Sequence, residues 1–300
     1  MTSTSAADVE SRHAMQVACQ MVGLDSRQAE LIRLGENAIY RLPGQVVIRV
    51  GRRGQFASAV KEVNVARWLE SVGVPAVQVV PDVDQPVDVE DRPVTFWREL
   101  PPHEPGTPSQ VARALRRLHA VPRPAAFDLP PIAPFVRLEE RIRSATALSD
   151  EDRAWMRAHL EELQERYARI PAGLAHCVVH GDAWVGNVVS TSDDRTVFLD
   201  LERAAIGPPE WDLTHTAIKH SSFAWITAEQ YGQFCEIYGH DVTEWSGFRL
   251  LRDIREFRMA CMAVQIASAD EAYCEQAAHR LACVRGRLGA RPWPGWHAVP

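Results

Sequence analysis

The stretch Cys177-Val-Val-His180-Gly181-Asp182-Ala-Trp-Val-Gly186-Asn187-Val-Val decides how the rest of the chain is read. Three apolar or small residues with strand character deliver His180-Gly181-Asp182 into a loop. Two further apolar runs, ending at Val189 and at Leu199, flank the polar pair Asp193-Asp194. If that pair centres a two-residue hairpin turn, Asn187 stands opposite Asp200, and Val189 and Phe198 share their face. The expectation is then a carboxamide and a carboxylate converging on one point near Asp182. Asp-Asp is a weaker turn signal than Asn-Gly, so a slip of one residue is the competing register.

Oxygen donors of this type suit Mg²⁺, which is held by one or two carboxylates together with substrate phosphates. They do not suit zinc, which favours Cys and His. A separate carboxylate, Asp182, is placed to receive a proton. Such a set serves phosphoryl transfer, where catalysis is mostly positioning and charge neutralisation.

His180-Gly181-Asp182-x4-Asn187, then Leu199-Asp200-Leu-Glu202, then Gly207-Pro-Pro-Glu-Trp211-Asp212-Leu213, resembles the aminoglycoside phosphotransferase family. The likeness runs from Leu34-Gly35-Glu36 to the C-terminal helices. It implies an α+β, two-lobed protein-kinase-like fold, with a small N-terminal β-sheet lobe carrying a helix and a larger, mainly helical C-terminal lobe. It also implies that Asp182 is the catalytic base or hydroxyl-positioning carboxylate, that Asn187 and Asp200 hold Mg²⁺, and that ATP, or GTP in its place, is the donor. An ordinary Asp has a pKa of about 3.9, so its task is to aim the hydroxyl and take the proton as the bond to phosphorus forms. His180 and Asp212 would brace the catalytic loop. For Asp212 a helix N-terminal acid is an equal reading, and Glu202 stays open between a group behind the metal ligands and a surface residue.

The first lobe departs from the pattern. Gly35-Glu36-Asn37, the loop over the phosphates by resemblance, carries one glycine. Neither G-x-x-x-x-G-K-[ST] nor G-x-G-x-x-G occurs, which removes the main support for P-loop and dinucleotide-binding readings. Where the family often has a lysine on the second strand, this chain has Ile48-Arg49-Val50. Arg49 keeps the charge as a planar fork, and Glu62 is its candidate partner from the next helix; an exposed strand arginine and a solvated helix face are the alternatives. Phe96-Trp97-Arg98-Glu99-Leu100 matches the hinge, making the Arg98 carbonyl and the Leu100 N–H the adenine-binding candidates.

Outward from these motifs, a helix is expected near Asp8–Val22, then the Gly35-Glu36-Asn37 turn, then a hairpin of Ala38–Leu42 and Val46–Val50 around Pro43-Gly44. A helix follows over Ala59–Val72, ended by Gly73 and Pro75. Val77–Val80 and Val94–Leu100 read as strands. Pro101-Pro102-His103-Glu104-Pro105-Gly106 excludes helix and central strand. The expected division is therefore a nucleotide-binding lobe over residues 1–100, a linker over 101–107, and a helical lobe with the acceptor site over 108–300. Helical stripes follow at Val111, Leu115 and Leu118; at Met156, Leu160, Leu163, Tyr167 and Ile170 after a Ser149–Asp152 cap; at Leu250, Ile254, Phe257, Cys261 and Val264; and at Cys274, Ala277, Leu281, Val284 and Leu288. The Pro- and Trp-rich tail from Arg291 reads as irregular and superficial. His119 reads as a packed helix histidine; His215 and His220, five apart, are assigned no function. Trp184, inside the catalytic loop, is placed to pack against substrate.

The net charge of −6 is spread as −2 over each hundred residues, so no basic patch points to nucleic acid. A cationic acceptor would want a strongly acidic helical lobe, which the −2 of the last hundred residues barely offers. Only two cations, Lys61 and Lys219, are lysines. The six cysteines form no CxxC pair and read as free thiols, with Cys261 and Cys274 in the core. The first fifteen residues lack the basic and apolar regions of a signal peptide, and no apolar run spans a bilayer, so the expected location is cytoplasmic, with no membrane partner. The leading reading is an ATP- and Mg²⁺-dependent kinase of a small-molecule hydroxyl, an aminoglycoside or other antibiotic among the acceptors, with resistance, biosynthesis and primary metabolism all open. The alternatives are a peptide Ser/Thr kinase working with a partner protein and a nucleotide-binding pseudokinase.

Overall fold

A computed structural model describes residues 6–297. The N-terminal residues used in the leader argument, up to Ser5, and the last three residues of the tail lie outside it. In chain order the first elements are α1 (Ala6–Met21), β1 (Glu30–Leu34), β2 (Ala38–Leu42), β3 (Val46–Val50), α2 (Phe56–Ser71), β4 (Val87–Val89), β5 (Arg92–Arg98) and β6 (His103–Pro105). Next come α3 (Pro108–His119), α4 (Leu138–Ser144), α5 (Asp150–Tyr167), β7 (Cys177–Val179), β8 (Val188–Thr191), β9 (Thr196–Phe198) and β10 (Ala205–Gly207). The chain closes with α6 (Glu210–Ser221), α7 (Ala228–Tyr238), α8 (Phe248–Ala267) and α9 (Cys274–Val284). The mix is α+β, with an N-terminal antiparallel sheet and a helical C-terminal part. None of the described helices is long and apolar enough to cross a membrane.

Contacts divide the chain into two compact units. The first comprises Met1–Gln110, Ala120–Pro130 and Val185–Ala204. Its five strands run in the order β1-β2-β3-β5-β4, all antiparallel. Strand alternation sorts the side chains. Tyr40, Ile48 and Phe96 stand in register and pack with Met15 and Ala18 of α1 in one core. The next row, Ile39, Arg49 and Thr95, therefore faces the other way. That is the face toward which α2 presents Glu62. β1 went unread because its residues are mostly exposed and carry no alternation. Val77–Val80 is not a strand of the sheet: it makes one isolated bridge, Val79 to Trp97, between Pro75 and Pro81. β4 arises instead inside the acidic segment that follows.

A second sheet of this unit, β6-β8-β9, keeps Pro105 on an edge strand, where a missing N–H costs no ladder bond. Its hairpin corrects the sequence register by one residue. Val188 faces Phe198 and Val189 faces Val197, so Asn187 is matched to Leu199 rather than Asp200. The Leu199 N–H donates to the Asn187 carbonyl at 2.8 Å. The cause is the turn. Three residues, Ser192 to Asp194, close it, with Asp194 in the left-handed region at φ 61° and its N–H on Thr191.

The second unit comprises Val111–His119, Pro131–Trp184 and Ala205–Pro300. Its core is built from Leu138 and Ile142 of α4, Met156, Leu160 and Leu163 of α5, Trp211 of α6, and the expected stripe of α8. Ser149 caps α5 by accepting the Asp152 N–H at 3.1 Å. β7 pairs antiparallel with β10, so Cys177–Val179 is held as a short strand and launches His180. Two expectations are corrected. Cys274, at the first residue of α9, is exposed, and α9 stops before Leu288. The tail is irregular but not superficial: Trp293 and Trp296 are buried with Ile218, Phe223 and Cys283. All six cysteines are free.

Candidate active site

In the second unit, the loop carrying Asp182 is clamped from α6. The Asp212 carboxylate accepts the His180 N–H at 2.7 Å and the Gly181 N–H at 2.9 Å. The Gly181 carbonyl accepts from the Trp211 indole at 2.8 Å and from the Arg255 guanidinium at 3.3 Å. Gly181 sits at φ 86°, a conformation that suits glycine and turns the loop sharply before Asp182. Asp212 is fully buried. Burial opposes its charge, but the hydrogen bond from His119 and the neighbouring His180 and Arg255 outweigh it and hold the carboxyl below its ordinary range. His119 reaches Asp212 with Nε2 at 3.1 Å and the Tyr238 hydroxyl with Nδ1 at 2.8 Å. It is packed, as expected, but as part of this clamp.

Asp182 itself is part exposed, and its immediate neighbours are basic. Arg255 Nη1 and His215 Nδ1 each lie 3.6 Å from Asp182 Oδ1. The histidine contact is not an ion pair. Arg255 donates to His215 Nδ1 at 3.1 Å, and burial, then Arg255 and Lys219, push the imidazole well below its usual pKa. The ring is neutral at pH 7. Lys219, 7 % exposed, lies over the Trp184 ring with Nζ 5.2 Å from its centroid, and Asp182 is the carboxylate that acts on its charge. Burial lowers the Lys219 pKa to about 8, with Asp182 opposing the shift.

The sequence reading assigns His215 no function and names Lys219 only as one of two lysines. Asp212, His215 and Lys219 are three and then four residues apart, one face of α6. A polar stripe at core spacing, ending in one of only two lysines, was the available signal.

In the first unit, Arg49 forms an ion pair with Glu62. Glu62 is 2 % exposed. The Arg49 guanidinium also lies 5.7 Å from the Trp97 ring centroid. Burial lowers its pKa, and the Asp200 and Glu202 carboxylates oppose that shift, so both acids sit within electrostatic reach of Arg49. Glu202 acts likewise on Lys61, whose pKa burial lowers and whose Nζ donates to the Ala204 carbonyl at 3.2 Å. Asp200 follows β9 in the left-handed region at φ 49° and starts a short 3₁₀ turn. Asn187 and Asp200 thus end the two arms of the β8–β9 hairpin without being directly opposed. A carboxamide and a carboxylate are hard oxygen donors, and the described residues hold no group of three or more His, Cys, Asp or Glu that can bind a metal. That donor set fits Mg²⁺ completed by phosphate oxygens and water, and does not fit a closed protein cage.

Arg98 closes β5, its N–H donating to Gln78 at 2.8 Å, while the next N–H, of Glu99, donates to Gln45 at 2.7 Å. Leu100 lies just beyond the end of β5.

Comparisons with known proteins agree with this architecture. Amicoumacin kinase hAmiN, solved with AMP-PNP, Ca²⁺ and amicoumacin, superimposes with a TM-score of 0.69 at 12% identity, covering 96% of this chain and 98% of that one. Choline kinase LicA from Streptococcus pneumoniae gives 0.60 at 16% identity, with 90% and 99% covered. Aminoglycoside phosphotransferase APH(3'')-Id from Streptomyces rimosus gives 0.58 at 20% identity, with 80% and 95% covered. At these identities the likeness establishes the kinase-like fold. No curated protein matches the chain. Residues 33–251, most of the chain, match the profile of the phosphotransferase enzyme family. The chain therefore belongs to the phosphotransferase enzyme family.

Proposed function

We propose that the protein transfers the γ-phosphate of ATP to a hydroxyl of a small molecule, with Mg²⁺ as cofactor. The observation that carries this reading is the pair of a part-exposed Arg49 with the buried Glu62, with Asp200 and Glu202 in electrostatic reach. A solvent-facing strand arginine, as the pseudokinase reading requires, would have no such partner. Arg49, fixed by Glu62, grips phosphate oxygens with its planar fork. The Arg98 carbonyl and Leu100 N–H receive the adenine edge, which makes residues 1–100 the nucleotide-binding lobe. Asn187 and Asp200 hold Mg²⁺, which when bound neutralises charge on the phosphates. The similar fold of a kinase solved with AMP-PNP and Ca²⁺ supports a nucleotide and a divalent cation here.

Asp182 aims the acceptor hydroxyl. As the oxygen–phosphorus bond forms and the bond to the ADP oxygen breaks, the hydroxyl proton passes to the Asp182 carboxylate. Asp212, through the His180 and Gly181 N–H groups, holds Asp182 in place for that step. The test is a screen of hydroxyl acceptors with γ-labelled ATP, run in parallel on wild type and Asp182→Ala. Label should move to an acceptor with wild type alone. Near-full transfer by Asp182→Ala contradicts the assignment.

A further inference from the structure

The lining around Asp182 says more about the acceptor. Lys219 is 7 % exposed, and its ammonium makes no hydrogen bond to any described residue; it lies over the Trp184 ring and feels the charge of Asp182. Burying an ammonium without hydrogen-bond acceptors is expensive. The other acids of this region are already engaged. Asp212 clamps the loop, Glu210 accepts the Leu174 N–H at 2.6 Å with Oε1 while its Oε2 is unpartnered, and Glu256 is paired with Arg291. Arg255 is engaged as well, donating to the Gly181 and Trp211 carbonyls and to His215. His215, being neutral, supplies no charge. Lys219 thus keeps all its donors to spare, against the single unpartnered Nε of Arg255, and it lies within electrostatic reach of the carboxylate that meets the acceptor. Once Asp182 takes up the hydroxyl proton, its compensating charge is gone.

We infer that the acceptor is a hydroxy compound bearing an anionic group, a carboxylate or a phosphate, which the Lys219 ammonium binds while Trp184 covers the carbon skeleton. This rests on the phosphoryl-transfer reading of Asp182. Trp184 is 39 % exposed, beside the lysine that lies over its ring. A cationic acceptor would meet Lys219 and Arg255 as like charges.

The chain has two lysines, so protein labelled at lysine ¹³Cε gives two side-chain signals, and Lys219→Arg assigns them. With Mg-AMP-PNP bound, D-glycerate, glycerol 3-phosphate, glycerol and choline are titrated in turn. D-glycerate reads the carboxylate source and glycerol 3-phosphate the phosphate source. A saturable shift of the Lys219 signal with either anion, absent with glycerol and choline and with Lys61 unmoved, is the expected result. An equal shift with glycerol, a shift with choline, or silence toward both anions overturns the inference. So does a Lys219 shift produced by Mg-AMP-PNP alone to which the anions add nothing, since the lysine then serves the donor phosphate. Calorimetry of Mg-AMP-PNP on the same sample separates the two claims: nucleotide binding with a silent Lys219 sinks the acceptor class alone, whereas failure to bind nucleotide sinks the phosphotransferase site beneath it.

Discussion

The carboxylate of Asp212 holds the peptide N–H of Gly181 at 2.9 Å, and its other oxygen holds that of His180 at 2.7 Å. One side chain on the first turn of α6 thereby fixes the backbone on which Asp182 is carried. Asp212→Asn replaces one acceptor oxygen with an NH₂ that faces a buried donor. We expect a stability loss of about 2–4 kcal/mol, as for breaking a buried charged hydrogen-bond network, read by urea denaturation. Transfer should fall with it, while Mg-ATP affinity should hold.

The same residue sets an acid limit. Its carboxyl pKa is lowered in the folded protein, so its contribution is present above the unfolded value of about 3.9 and is lost as pH falls through the folded value. Hydrogen exchange at the His180 and Gly181 amides should remain slow at pH 5 and accelerate below pH 4. In Asp212→Asn the two amides should exchange fast at both values.

Lys219 has the opposite sign. Its folded pKa of about 8 lies below the ordinary lysine value, so the unfolded chain binds the extra proton between pH 8 and about 10.4. Wild-type stability attributable to this group should rise with pH across that window, and the charged lysine costs up to about 3 kcal/mol below it. Lys219→Met should therefore raise Tm at pH 7 and flatten the rise above pH 8, while lowering transfer. A lower Tm for Lys219→Met would mean that the lysine is a structural support.

The fold was legible where pattern and physics coincide. Ala38–Leu42 and Val46–Val50 appear as written because alternation and Pro43-Gly44 agree, and α8 follows its apolar stripe. Three things were hidden for physical reasons. The β8–β9 register depends on whether Asp194 enters the left-handed region, which composition does not reveal. Trp293 and Trp296 lie in a proline-rich segment without periodicity, yet two tryptophans bury too much apolar area to stay on a surface. α6 buries Asp212 and Lys219, with His215 half-buried between them, and a polar stripe looks solvated until the loop whose His180 and Gly181 N–H groups it accepts is laid against it.

Arg49 pairs with the buried Glu62, and removing one partner strands the other. Arg49→Ala, which strands the buried Glu62 carboxylate, should cost about 3–5 kcal/mol in denaturation experiments, more than Glu62→Ala, which leaves a part-exposed guanidinium. Arg49→Lys should keep part of the transfer activity, because the charge remains and the bidentate geometry is lost.

Under the proposed function, Arg49, Asn187 and Asp200 bind Mg-ATP and Asp182 acts on the acceptor. Isothermal titration of Mg-ATP into wild type, Arg49→Ala, Asp200→Ala and Asp182→Ala tests it without knowledge of the acceptor. The account predicts Mg²⁺-dependent binding by wild type and Asp182→Ala alike, and a loss of about 2–4 kcal/mol, the range for one preorganised electrostatic group, in Arg49→Ala and Asp200→Ala. Equal affinities for wild type and Arg49→Ala, or no binding by wild type, would contradict it.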